Sequence, residues 1–90
     1  MHKLLYTGEA KKQIAKLGER LKSKVRDACE RIGQDPSVGK SLTRELSGRF
    51  SYRVSDYRII YRIYSAEVVV LILTVGHRRE VYKKLARKGW

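Results

Sequence analysis

Apolar and polar residues alternate in two short runs from Arg49 to Tyr64, RFSYRVSDYRIIYRIY, on either side of Ser55-Asp56. A period of two is the signature of a strand with one buried face. Closing the two runs at Ser55-Asp56 sets Val54 opposite Tyr57, Arg53 opposite Arg58, Ser51 opposite Ile60 and Arg49 opposite Arg62. Phe50, Tyr52, Val54, Tyr57, Ile59, Tyr61 and Ile63 then share one face. Arg49, Arg53, Arg58 and Arg62 share the other. Like charges directly opposite one another destabilise a strand pair. Four stacked arginines therefore point to an anionic occupant of that face, a polyanion or an acidic protein. The competing reading is that they solvate the open side of an amphipathic sheet. A slip of one residue would send one strand's arginines to the opposite face.

The rest of the chain arranges itself around this hairpin. His2 to Tyr6 reads as an edge strand, and Thr7 caps a helix with Glu9 in its first turn. From Ala10 the period becomes helical. Ala10, Ile14, Leu17, Leu21, Val25, Ala28 and Ile32 form one stripe, with lysines and arginines filling much of the remainder. Gly18 leaves two readings, one helix running through it or two helices turning there. Gly33 followed by Asp35-Pro36 ends the helical segment. Residues 34–48 are a connection pinned by Leu42 and Leu46. Val68 to Val75, VVVLILTV, reads as a central strand covered on both faces. With the hairpin it makes an antiparallel meander. The basic tail from Gly76, GHRREVYKKLARKGW, is anchored as a short strand or helix by Val81, Leu85 and Trp90.

Composition narrows the class. Ninety residues fit one domain, 1–90, that buries only about 60–65% of its unfolded surface. A 42% apolar and 33% charged composition suits a folded domain better than a disordered one. Cys29 is alone and cannot form an internal disulfide, so it reads as core filler on a helix in a reducing compartment. The start, MHKLLYTGEA, has an apolar run of only three residues, and Val68 to Leu73 is far short of a membrane span. A soluble, cytoplasmic protein is expected. Twenty-one Lys and Arg against nine Asp and Glu leave a formal charge of +12, which favours nucleic acid, the ribosome or an acidic protein.

Familiar enzyme signatures do not fit. His2 and His77 lie far apart with no clustered ligands for a metal. There is no phosphate-binding glycine loop and no supported nucleophile triad. What remains is an Arg/Tyr/His set near strand ends: the hairpin arginines, then His77, Arg78 and Tyr82. Such residues suit cleavage of RNA without a metal or cofactor. The ribose 2′-hydroxyl attacks the neighbouring phosphate, guanidiniums hold the developing charge, and aromatic rings stack splayed bases.

SYRVSDYRIIYRI, followed by VVVLILTVGHRREVYKKL behind a basic helical first half, resembles the RelE/ParE superfamily of type II toxins, closer to its RelE side. The specific part is Tyr57-Arg58 with Tyr61, then Val75 to Tyr82. The resemblance implies an α+β fold of order β-α-α-β-β-β: an N-terminal strand, a two-helix hairpin, a three-stranded meander and a short basic tail. It implies a ribosome-dependent endoribonuclease that cuts mRNA in the A site of the 30S subunit. It also implies a cognate RelB-like antitoxin, with toxin and antitoxin assembling as a heterotetramer. Arg58 and Arg78 take the positions of phosphate-stabilising arginines, and Tyr82 that of the tyrosine that stacks a base or moves a proton. Arg53 falls where RelE-type toxins carry a basic residue, and holds the RNA backbone or helps at the 2′-hydroxyl. Arg49, Arg62, Arg79, Lys83 and Lys84 join Arg53 as RNA-binding candidates. Well-known members have lysines on the strand before the turn, whereas this chain has Arg53 and Ser55. Arginine does not deprotonate, so it cannot serve as the base. His77, with an intrinsic pKa of about 6.5, is the candidate that chemistry favours. The competing readings are a strand-end histidine bonded to backbone, and a Tyr82 that packs the tail. Two other functions share the fold: a ParE-like inhibitor of DNA gyrase that cuts nothing, and a non-catalytic RNA-binding relative.

Overall fold

The computed structural model describes residues 1–88. Its centre is a five-stranded sheet of β1 (Lys3–Tyr6), β2 (Lys40–Ser41), β3 (Phe50–Val54), β4 (Tyr57–Tyr64) and β5 (Val69–His77), in the spatial order β1-β5-β4-β3-β2. β3, β4 and β5 form the expected antiparallel meander, and β1 is the expected edge strand. β1 runs parallel to β5, which makes the sheet mixed. β2 is an addition of two residues that pair with Ser51 and Phe50. The β3–β4 ladder has the register anticipated from alternation, with Arg53 opposite Arg58 and Ser51 opposite Ile60. Its turn holds Ser55 at φ 55°, a left-handed conformation that costs a non-glycine residue about 1–2 kcal/mol.

Two helices precede the meander, α1 (Gly8–Ala15) and α2 (Glu19–Gln34), so Gly18 separates them as the N-cap of the second. The Thr7 hydroxyl accepts from Ala10 N at 3.0 Å and donates to Leu73 O at 2.6 Å, tying the start of α1 to β5. Beyond the end of β1, α1 takes over the edge of β5. Gln13 Oε1 accepts from Val75 N at 2.7 Å, and the Thr74 hydroxyl lies 3.1 Å from both Gln13 Oε1 and Glu9 Oε2. Side chains thereby satisfy backbone groups that a longer β1 would have paired.

Two boundaries differ from those read off the sequence. Gly33 does not end α2; it lies within the helix, where a Cβ would come 3.1 Å from Leu4 Cγ, so its role is close packing. The stop comes at Asp35, one residue before Pro36, whose ring cannot continue a helix. β5 runs on through Gly76 and His77, because these still pair with Arg58 and Tyr57, and the tail begins at Arg78.

Two cores result. The larger lies between the sheet and α1/α2, where Val25, Ile32, Ile59, Tyr61, Val70 and Ile72 are fully buried. Tyr61 anchors the connection after α2. Its hydroxyl donates to Pro36 O at 2.6 Å and accepts from Gly39 N at 3.0 Å. Gly39 sits so close that a Cβ there would collide with the phenol oxygen. The smaller core lies on the arginine face. The tail forms α3 (Val81–Lys88), and Val81 and Leu85 bury against Ile60 and Leu73, with Leu42 and Leu46 packed alongside. The arginine face is therefore not the open side of a sheet: a helix covers its middle. Leu73 reaches this core by alternation with Leu71 along β5, and the β4–β5 register shift between Ile60 and Tyr61 leaves it as the extra residue of a bulge. The Trp90 anchor lies outside the described residues. Among the described residues, no helix is long and apolar enough to cross a membrane.

Cys29 is buried in the larger core, as its helical position suggested, with Tyr6 packed against the same core. Burial pushes Cys29 from 9.0 up to about 11, and pushes Tyr6 and Tyr61 from 10.0 up to about 12. Each folded value exceeds its unfolded one, so the fold keeps protons that the unfolded chain releases. This stability is fully present below pH 9 and is lost as pH rises from about 9 to about 12. Chemical denaturation across pH 7–12 should show the loss, with Cys29→Ala delaying its onset toward pH 10. Tyr61→Phe leaves Pro36 O and Gly39 N without their partner, and should cost about 1–3 kcal/mol in the same assay at pH 7.

Candidate active site

The turn end of the sheet collects charge. Arg53 and Arg58 are direct neighbours across β3–β4, and Gly76 is the next residue along that row on β5. With no side chain at Gly76, nothing from β5 crowds Arg58 on this face. Arg53 donates from Nε to Ser55 O at 3.3 Å, and Arg58 from Nη1 to Tyr57 O at 3.1 Å. A guanidinium carries five N–H donors, so one bond orients the fork without saturating it. Arg78 N donates to Asp56 O at 2.8 Å, which draws the segment after β5 onto the hairpin turn. Arg53, Arg58 and Arg78 thus come from three separate stretches to one end of the sheet. Arg53 and Arg78 are exposed and Arg58 is half-buried.

Tyr82 stands in the first turn of α3 and packs against the smaller core. Its hydroxyl lies 2.9 Å from Ser51 Oγ. Ser51 is 7% exposed and occupies the position on β3 between Arg49 and Arg53. The phenol oxygen is therefore held over the middle of the arginine face. Ser51 was not among the residues singled out from sequence. Its signal was parity, since residue 51 shares its face with 49 and 53.

His77 goes elsewhere. It pairs with Tyr57, so alternation turns its side chain to the Tyr57 face, across the sheet from Arg58. The two rings meet edge-on at 5.9 Å and 74°. His77 Nδ1 accepts from Arg79 N at 3.2 Å, which leaves the ring proton on Nε2. This is the backbone-bonded arrangement of a strand-end histidine. The remaining cations are dispersed. Arg49 turns onto the preceding loop, with Nη1 donating to Glu45 O at 3.4 Å and Ser47 O at 3.3 Å. Arg62 lies beyond Ile60 on β4, its guanidinium 5.8 Å from the Tyr64 ring centroid. Arg79, Lys83 and Lys84 are exposed, and Lys84 borders a hollow shared with Glu9, Lys12 and Gln13 of α1 and with Lys16 just beyond it.

Three permanently charged forks beside one phenol suit a phosphodiester. Guanidiniums match phosphate oxygens in a bidentate way and keep their charge at any working pH. An aromatic hydroxyl can stack or exchange a proton.

Comparison with known proteins places this fold and basic sheet face in a family. The family model described as "ParE toxin of type II toxin-antitoxin system, parDE" matches residues 4–82. Toxin RelG of Mycobacterium tuberculosis (strain ATCC 25618 / H37Rv) is 38% identical over 81 residues, covering 88% of this chain and 93% of RelG. The mRNA interferase toxin RelE of Escherichia coli (strain K12) is 25% identical over 83 residues, covering 88% and 87%. Among solved structures, a chain of the M. tuberculosis toxin–antitoxin complex RelBE2 matches with a TM-score of 0.79 at 37% identity, covering 86% of this chain and 98% of that one. Isolated E. coli RelE shares the fold with a TM-score of 0.75 at 23% identity, covering 98% of each chain. The chain belongs to the RelE/ParE superfamily and is a toxin of a type II toxin–antitoxin system.

Proposed function

We propose that this protein, acting as one domain over residues 1–90, is a ribosome-dependent mRNA endoribonuclease. The observation that carries the reading is the convergence of Arg53, Arg58 and Arg78 at the turn end of the sheet, with the Tyr82 phenol on the same arginine face. The 2′-hydroxyl attacks the adjacent phosphorus, the P–O5′ bond breaks, and Arg58 and Arg78 hold the charge on the phosphoryl oxygens. Arg53 grips the RNA backbone, and Tyr82 carries proton transfer. His77, on the opposite face, serves the fold and not the base role.

The site is a surface, and 2′-hydroxyl attack needs the oxygen in line with the departing one. A codon held in the A site supplies that geometry, and the charge of +12 favours docking on ribosomal RNA in the cytoplasm. The mRNA interferase name of the E. coli relative supports the same chemistry. Its acidic counterpart is a RelB-like antitoxin that covers the basic face, assembling with the toxin as a heterotetramer. The RelBE2 complex of the similar M. tuberculosis toxin supports this. The ParE description of the matched family model favours a second reading, a gyrase-directed toxin that cuts nothing.

Primer extension on a defined mRNA in a purified translation system tests the choice. Cleavage should fall within the A-site codon and need ribosomes. Arg58→Ala should lower it by about a hundredfold or more. Intact mRNA with active ribosomes and folded toxin would sink the nuclease reading and turn attention to gyrase supercoiling assays. Separately, Arg53→Ala should reduce the slope of log affinity against log salt for single-stranded RNA by about 0.7, the share of one phosphate contact. An unchanged slope would remove Arg53 from the interface.

A further inference from the structure

We propose that Ser51 is a positioning residue that directs the Tyr82 proton toward the RNA. The inference rests on the nuclease reading above. Ser51 is buried beneath the face, and its hydroxyl lies 2.9 Å from the Tyr82 oxygen. Either hydroxyl can donate in that bond. Were Tyr82 the donor, its proton would be spent on a serine inside the protein. With Ser51 donating, a lone pair of the phenol oxygen is occupied from below, and the phenol O–H is free to turn outward. The ring is held by its packing against the core of Ile60, Leu73, Val81 and Leu85. Residue 51 also lies two positions from Arg53 on the same strand face, about 7 Å along β3. The outward-turned proton is therefore presented within reach of a phosphate gripped by Arg53 and Arg58.

The step balances as follows. The 2′-hydroxyl gives its proton to water as its oxygen bonds phosphorus. The P–O5′ bond breaks, its electron pair stays on O5′, and O5′ takes the proton from Tyr82 Oη. The phenolate that remains accepts the hydrogen bond from Ser51 and regains a proton from water. The products are a 2′,3′-cyclic phosphate and a free 5′-hydroxyl. Ser51 thus acts most at the moment when negative charge appears on the phenol. A hydrogen bond to a charged acceptor is about twice as strong as one to a neutral acceptor. The contribution therefore falls on turnover and leaves binding alone.

The experiment is a two-by-two comparison of Ser51→Ala and Tyr82→Phe in the programmed-ribosome cleavage assay, with kcat and KM measured separately and folding checked by thermal denaturation. Ser51→Ala should lower kcat by about tenfold with KM unchanged. Ser51→Thr, which keeps the hydroxyl, should stay within about threefold of the parent. Ser51→Ala should add nothing once Tyr82 is Phe, because its effect passes through the phenol oxygen. An unchanged kcat for Ser51→Ala overturns the proposal while the nuclease reading stands. So does an equal loss in the Tyr82→Phe background, which marks a merely structural role. Should Ser51→Ala unfold, Ser51→Cys, a near-isostere with a weak donor, carries the same comparison. A parent protein that cleaves nothing overturns both readings at once.

Discussion

Ser55 and Asp56 close the β3–β4 ladder, and that closure decides which face every residue from Phe50 to Tyr64 takes. In one register Tyr61 enters the larger core, where Pro36 O and Gly39 N satisfy its hydroxyl. In the same register Arg53 and Arg58 leave it. A slip of one residue would bury arginines and expose Ile59 and Tyr61, exchanging apolar burial for unpaired charge. Such a difference far exceeds the roughly 1–2 kcal/mol of left-handed strain at Ser55 and the repulsion of two opposed guanidiniums. The apolar face therefore dictates the register, and the charged face has to accept its consequences. The turn also reaches past its own hairpin, since Asp56 O holds the backbone of Arg78.

This explains what was legible in the chain beforehand. The hairpin and the helical stripe are local patterns whose period survives in any context, whereas the stripe runs unbroken across Gly18 and so left one helix or two open there. The meander followed from the apolar run at Val68 to Val75. The smaller core did not follow, although Ile60 was its sign, as the one apolar residue set between Arg58 and Arg62. A single residue carries no period. In the tail only Val81 and Leu85 mark a buried side, too few to tell a helix from a strand, and the two residues of β2 offer no pattern at all.

The candidate site divides along the same line. Arg53 and Arg58 belong to a ladder whose register a two-residue turn sets, so their shared face could be read. His77 belongs to β5, whose pairing with β4 contains the shift at Ile60/Tyr61. Its face depends on that bulge, which leaves no mark in composition. Ser51 escaped for a different reason: among arginines a serine looks inert until its partner is known, and the partner is 31 residues away on another element.

The bulge links stability to chemistry. It falls at Leu73, which alternation with Leu71 puts on the arginine face, and Leu73 with Ile60 forms the floor on which Val81 and Leu85 of α3 rest. Tyr82 follows Val81 directly, so the packing that holds α3 also holds the phenol above Ser51. Two α3 side chains on a small apolar floor make a modest anchor, and the helix they secure lies among like charges. An anion on this face neutralises the repulsion that the register imposes. By mass action, any ligand that binds only the folded chain also stabilises it. A polyanion bound to this face would thus be thermodynamically coupled to the fold that presents the arginines, and the cost of stacking them in the free protein would become part of the driving force for its binding.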